Sequence, residues 1–115
     1  MTKRILIVED DPMIGMMLEE FVALLGFEVA CCVDDVAAAL DALSGHRIDA
    51  AVVDVHLADG ETSAPVAEAL ASAGIPFVVA TGGFSADLAP VWEGRPILEK
   101  PYTIAGLREA FAQIA

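Results

Sequence analysis

Apolar residues follow two alternating patterns along the chain. Short continuous runs recur at Ile5-Leu6-Ile7-Val8, Ala50-Ala51-Val52-Val53, Pro76-Phe77-Val78-Val79-Ala80 and, briefly, Ile97-Leu98. Runs of that length without polar alternation predict strands buried on both faces. Phe27 to Val33 predicts a further strand, and Glu28 inside it marks a sheet edge. Between the runs the apolar spacing changes to threes and fours, the period of a helix with one inward stripe. Ile14, Met17, Leu18, Phe21, Val22 and Leu25 form the first stripe; Val36, Ala39, Leu40 and Leu43 form the second. Val66, Ala69 and Leu70 form a third, on a helix running to about Ala73, and Ile104, Leu107, Phe111 and Ile114 form the last.

The punctuation between elements agrees with this division. Asp11-Pro12 supplies an N-cap acid followed by proline at the first helical position. Asp34 or Asp35 caps the second helix, and Gly26, Gly45 and Gly74 close the first three. Pro65 must lie in a first turn, because an interior proline costs about 3 kcal/mol. The crossover between the fourth and fifth strands is different. Phe84 to Arg95 contains Pro90 and Gly94, which leaves one or two helical turns and no full helix.

Strict strand–helix alternation predicts an α/β fold with a doubly wound, five-stranded parallel sheet, helices on both faces and strand order 2-1-3-4-5. The 115 residues make one domain. Charge narrows the partners: 18 acids stand against 6 bases, net −12, with no basic cluster to neutralise phosphates, so nucleic acid is not an expected partner. No apolar run approaches the roughly 18 residues of a membrane span, so no membrane is expected either. The apolar stretch after Lys3-Arg4 is too short for a signal sequence, which points to the cytoplasm. Cys31 and Cys32 are adjacent and support neither a disulfide framework nor a zinc site; they are expected as thiols buried in a strand. His46 and His56 are too few to build a metal site by themselves.

In such a sheet, ligands bind beyond the carboxyl ends of the strands, at the switch between strands 1 and 3. Glu9-Asp10-Asp11 follow strand 1, Asp54 follows strand 3, Thr81 follows strand 4 and Lys100 follows strand 5. Gathered carboxylates repel one another unless a cation neutralises them. Hard oxygen donors favour Mg²⁺ or Mn²⁺. A lysine and a threonine hydroxyl opposite them could hold phosphoryl oxygens. Asp54, alone at the end of a central strand, is the candidate nucleophile, since carboxylates form acyl phosphates.

The segments Ile-Leu-Ile-Val-Glu-Asp-Asp, Val-Val-Asp54-Val-His-Leu, Ala-Thr81-Gly and Glu-Lys100-Pro-Tyr occur in the order and spacing of a response-regulator receiver domain. The resemblance covers residues 3 to 114 and implies a CheY-like, flavodoxin-like fold. It implies that Asp54 is the phosphoacceptor, fed by a histidine kinase or a histidine phosphotransfer protein. It implies Mg²⁺ as the cofactor, with Asp10 a direct ligand, Glu9 acting largely through water, and Asp54 and the His56 backbone carbonyl completing the protein's share. Thr81 and Lys100 would contact the phosphoryl group, and Asp11 would be a helix cap rather than a ligand. Asp-Val-His-Leu-Ala-Asp-Gly, Pro-Val-Ala-Glu-Ala-Leu and Gly-Ile-Pro-Phe-Val-Val-Ala-Thr-Gly-Gly further resemble single-domain receivers with a Phe-Ala-Thr-Gly motif, associated with HWE-type histidine kinases and with a weak or missing fourth helix. That implies a bacterial phosphorelay protein without an output domain, working through an unidentified downstream partner, by onward relay or as a phosphate sink.

Several positions depart from the family pattern. Val79 stands where that motif has phenylalanine, Ile97 where many receivers carry an aromatic switch residue, and Ala58 where a loop proline is common. His56 and Gly83 occupy the positions that tune loss of the phosphoryl group. An aspartate-nucleophile phosphatase would need a second aspartate at the position of His56. The other alternative is a degenerate receiver that binds a protein without being phosphorylated. Met13, Met16 and Met17 serve either the core or partner docking, and Trp92 is either a loop anchor or a partner contact.

Overall fold

A computed structural model describes residues 2–57, 62–81, 90–92, 94–99 and 102–114. Its strands are β1 (Arg4–Val8), β2 (Glu28–Val33), β3 (Ala50–Asp54), β4 (Phe77–Thr81) and β5 (Ile97–Glu99). Its helices are α1 (Pro12–Leu24), α2 (Val36–Gly45), α3 (Ala64–Ser72) and α4 (Ile104–Ala112). The five strands form one parallel sheet in the order β2-β1-β3-β4-β5. The expected architecture and strand order are therefore those observed.

Side chains alternate across the pleat, and each face of the sheet acquires its own core. Ile5, Ile7, Val52, Val78, Ala80 and Leu98 pack under α1 and α4, meeting Leu18, Val22, Leu107 and Phe111. Leu6, Val8, Val53, Phe77 and Val79 pack under α2 and α3, meeting Ala39, Ala42, Val66 and Leu70. Gly15 is buried on α1, and a β-carbon there would lie 3.2 Å from the Cys32 Sγ, so its absence lets the helix approach β2.

The caps follow the expected chemistry. The Asp11 carboxylate accepts the amides of Met13 (2.9 Å) and Ile14 (3.4 Å), which identifies it as a cap. Asp35, not Asp34, caps α2 through the Ala38 amide, and Pro65 lies in the first turn of α3. Gly26 and Gly74 take left-handed conformations just past α1 and α3 (φ 90° and 73°).

Two expectations change, and two open alternatives are decided. Leu40 is 38% exposed, and Ala42 takes the inward position instead, because the α2 stripe turns toward α3. Cys31 is only half-buried and Cys32 is exposed, because β2 is an edge strand covered on fewer sides than β1. Met13 and Met16 are exposed, and only Met17 packs against the core. Trp92 is a loop anchor: it is buried and meets the Phe77 ring edge-on at 6.1 Å between centroids. In the last crossover the described residues show a single 3-10 turn at Pro90–Trp92; residues 82–89 and 93, and with them the rest of the predicted irregular turns, lie outside the description.

Candidate functional site

The site begins with the sheet pleat. On the α1/α4 face the inward series of β1 is Ile5, Ile7 and then Glu9; that of β3 is Ala50, Val52 and then Asp54. β1 and β3 pair as Ile7 with Val52 and Val8 with Val53, which brings the next residues, Glu9 and Asp54, to the same height. Both carboxylates thus end apolar columns and are almost wholly covered, at 3% and 5% exposure. Asp10 is half-buried beside them. One carboxylate oxygen from each of Glu9, Asp10 and Asp54 lies within 4.8 Å of the others.

Backbone bonds set this acidic cluster in place. The Glu9 amide donates to the Val33 carbonyl at 2.9 Å, continuing the β1–β2 ladder one residue past the strand. The Asp10 amide donates to the Glu9 Oε2 at 3.0 Å and turns the chain toward α1. The Val55 amide donates to the Ala80 carbonyl at 3.1 Å, and the His56 amide donates back to the Asp54 Oδ1 at 3.2 Å. One Asp54 oxygen is thereby oriented by its own loop.

Thr81 is the last residue of β4 and buried, so it belongs to the strand rather than following it. His56 is exposed and its backbone forms an antiparallel bridge with Thr62. Lys100 and Gly83 lie outside the described residues, as does Ala58. Ile97, at the switch position, is 46% exposed.

Two further side chains stand at the site. Tyr102 is buried on the α1/α4 face with Ala80 and Leu98. Burial, followed by the negative charges of Asp54, Glu9 and Asp10, pushes its phenol well above the usual tyrosine range. Its only sequence signal is its place after Lys100-Pro101. Ser63 is fully buried, and its hydroxyl donates to the backbone carbonyls of Asp54 and, at 3.2 Å, Val55. A serine ahead of a helix reads as a cap, so nothing in the spacing points to this use. The Cys32 thiol flanks the cluster, and partial desolvation of the sulfur, followed by the charges of Glu19, Glu9 and Asp34, pushes it up to about 11.

Three converging carboxylates, two of them buried and one half-buried, are poorly solvated and mutually repulsive. The set contains no thiolate or imidazole, and it suits a small hard divalent cation such as Mg²⁺. A parallel sheet with this order, carrying an acidic cluster between β1 and β3 and a buried threonine at the end of β4, has the arrangement of a receiver-type scaffold.

No protein-family model and no curated protein matches the chain, but solved structures do. SdrG from Sphingomonas melonis Fr1 is 49% identical with a TM-score of 0.86, over 96% of this chain and 94% of that one. The BeF3-activated conformation of SdrG from Pseudomonas melonis Fr1 is 47% identical with a TM-score of 0.83, over 99% and 98%. A CheY-like response regulator receiver domain from Methylobacillus flagellatus is 28% identical with a TM-score of 0.84, over 100% of both chains. The chain belongs to the response regulator receiver family. Among the described residues, no helix is long and apolar enough to cross a membrane.

Proposed function

We propose that this receiver takes a phosphoryl group on Asp54 from a histidine kinase or a histidine phosphotransfer protein and passes the signal to a partner protein. The observation that carries the reading is the buried Asp54 at the end of β3, with Glu9 and Asp10 oxygens within 4.8 Å. In the reaction an Asp54 carboxylate oxygen attacks phosphorus. The oxygen–phosphorus bond forms as the phosphorus–nitrogen bond to the donor imidazole breaks, and that nitrogen keeps the electron pair. The product is an acyl phosphate, and catalysis of this transfer is mainly positioning and charge neutralisation.

Each residue has a part in that positioning. The His56 amide holds the Asp54 Oδ1. The Thr81 hydroxyl, at the end of β4, is assigned to a phosphoryl oxygen, and Lys100 to a second one. Glu9, Asp10, Asp54 and the His56 carbonyl would hold Mg²⁺, with Glu9 acting largely through water. Bound there, the cation would neutralise the negative charge that collects as the phosphoryl group arrives. The existence of a BeF3-activated conformation in a relative supports the reading, because BeF3 is a chemical mimic of a phosphoryl group. The chain would act as one signalling domain in the cytoplasm, where phosphohistidine donors are made, by partner binding, onward relay or draining phosphate from a kinase.

Intact mass after incubation with acetyl phosphate and Mg²⁺ tests the proposal. Wild type gains one phosphoryl mass, and Asp54→Asn gains none. Failure of wild type to gain it from either acetyl phosphate or a phosphorylated kinase would favour a receiver that binds its partner without phosphorylation.

A further inference from the structure

Ser63 stands at the N-cap position of α3, yet its side chain makes no cap hydrogen bond. Serine is favoured at that position because its oxygen accepts a helix amide, a bond worth about 1 kcal/mol. Asp11, Asp35 and Thr103 all cap their helices in this way. Ser63 turns its hydroxyl the other way and donates to the carbonyls of Asp54 and Val55. Its own amide donates to the same Val55 carbonyl at 3.0 Å. The residue before it, Thr62, bridges to His56. The two residues ahead of α3 therefore grip the backbone from Asp54 to His56 on successive peptides.

We propose that Ser63 is a positioning residue of the phosphoacceptor loop: its hydroxyl fixes the Asp54–Val55 peptides so that the Asp54 carboxylate and the His56 carbonyl face one cation. The inference rests on the proposed metal and phosphoryl chemistry of Asp54. The loop leaves β3 where the ladder ends, since the last β3–β4 pair is Asp54 with Ala80. Beyond that point its carbonyls need other partners, and a buried carbonyl without one is costly. Ser63 satisfies two of them, Asp54 through its hydroxyl and Val55 through its amide and hydroxyl, and so fixes the two peptides that lead to His56. The carbonyl of Ser63 accepts the amides of Val66 (2.9 Å) and Ala67 (3.1 Å), so the clamp is anchored in α3. The side chain touches no phosphoryl oxygen in this scheme; it acts through the backbone of Asp54 and His56.

The test is Ser63→Ala, with Thr103→Ala as the comparison because Thr103 is a cap of the ordinary kind. Mg²⁺ affinity is read from amide chemical shifts, and fold from thermal melting. The expected result is a cooperative melt for both variants, with Mg²⁺ binding about 3- to 10-fold weaker in Ser63→Ala and unchanged in Thr103→Ala; outer contacts that orient metal ligands are commonly worth about that much or more. Equal Mg²⁺ affinity in wild type and Ser63→Ala would overturn the clamp while leaving the site intact. Absence of Mg²⁺ binding in wild type would overturn the metal reading and the clamp with it. If Ser63→Ala does not fold, hydrogen exchange on wild type decides: Mg²⁺ raises the protection of the Ser63 and His56 amides together, and failure to do so overturns the inference.

Discussion

Two neighbouring rows on the same face of the sheet obey opposite rules. Ile7, Val52 and Val78 lie side by side in register, apolar and fully buried. Two residues further along the strands, the row becomes Glu9, Asp54 and Ala80, equally shielded from solvent but carrying two of three converging carboxylates. The first row gains free energy by leaving water. The second loses it, because each buried carboxylate forfeits hydration and repels the next. The stable row holds the costly one at a fixed height, and that is how one sheet supplies both rigidity and an acidic edge.

The largest expected effect lies in the stable row. Ile7→Ala should lower folding stability by about 2–5 kcal/mol, read from a denaturant midpoint, because the side chain is fully buried and its cavity cannot collapse. A loss well under that range would mean that β1 is not a rigid support for the acidic row. The acidic row should respond in the opposite direction. In Mg²⁺-free buffer Asp54→Asn should raise stability by about 0.5–2 kcal/mol, since it removes one of three like charges and keeps an acceptor for the His56 amide. A lower thermal midpoint for this variant would show that the cluster costs the fold nothing.

The smallest effect is a pH dependence at the flank of the cluster. The Cys32 thiol is raised from about 9 to about 11 in the folded protein, first by burial and then by the surrounding acids. The unfolded chain therefore releases this proton first. The contribution to stability is complete below pH 9 and is lost as pH rises toward 11. Cys32→Ser should flatten that part of the stability profile, and thiol alkylation of native wild type should be slow at neutral pH because little thiolate is present. Fast alkylation of the folded protein would contradict the raised value.

The contrast between the rows also explains what was legible beforehand. Strand runs and helical stripes are local patterns, and the chain order of acids, threonine and lysine at strand ends follows from them directly. Glu9, Asp10 and Asp54 could be named because each sits one or two steps past an apolar run. Ser63 could not, because its use depends on where β3 ends in space, and its sequence context is that of an ordinary cap. Leu40 and Cys32 depart from their local patterns for a related reason. A stripe or a strand says which residues are apolar, but the neighbours decide how much of each is covered. Trp92 is the complementary case, since its burial depends on the Phe77 ring that β4 presents beneath it.

By itself the sequence determined the alternation of strands and helices, the cap at Asp11, and the chemical character of the carboxyl edge, because these depend on residue spacing and intrinsic preference. Only the tertiary structure decided that Glu9 and Asp54 stand level in one row, that Tyr102 is buried in the field of the same acids, and that Ser63 closes on the Asp54 backbone. Those facts rest on strand register and on contacts between segments distant along the chain, and register is set by the packing of whole faces rather than by any local run.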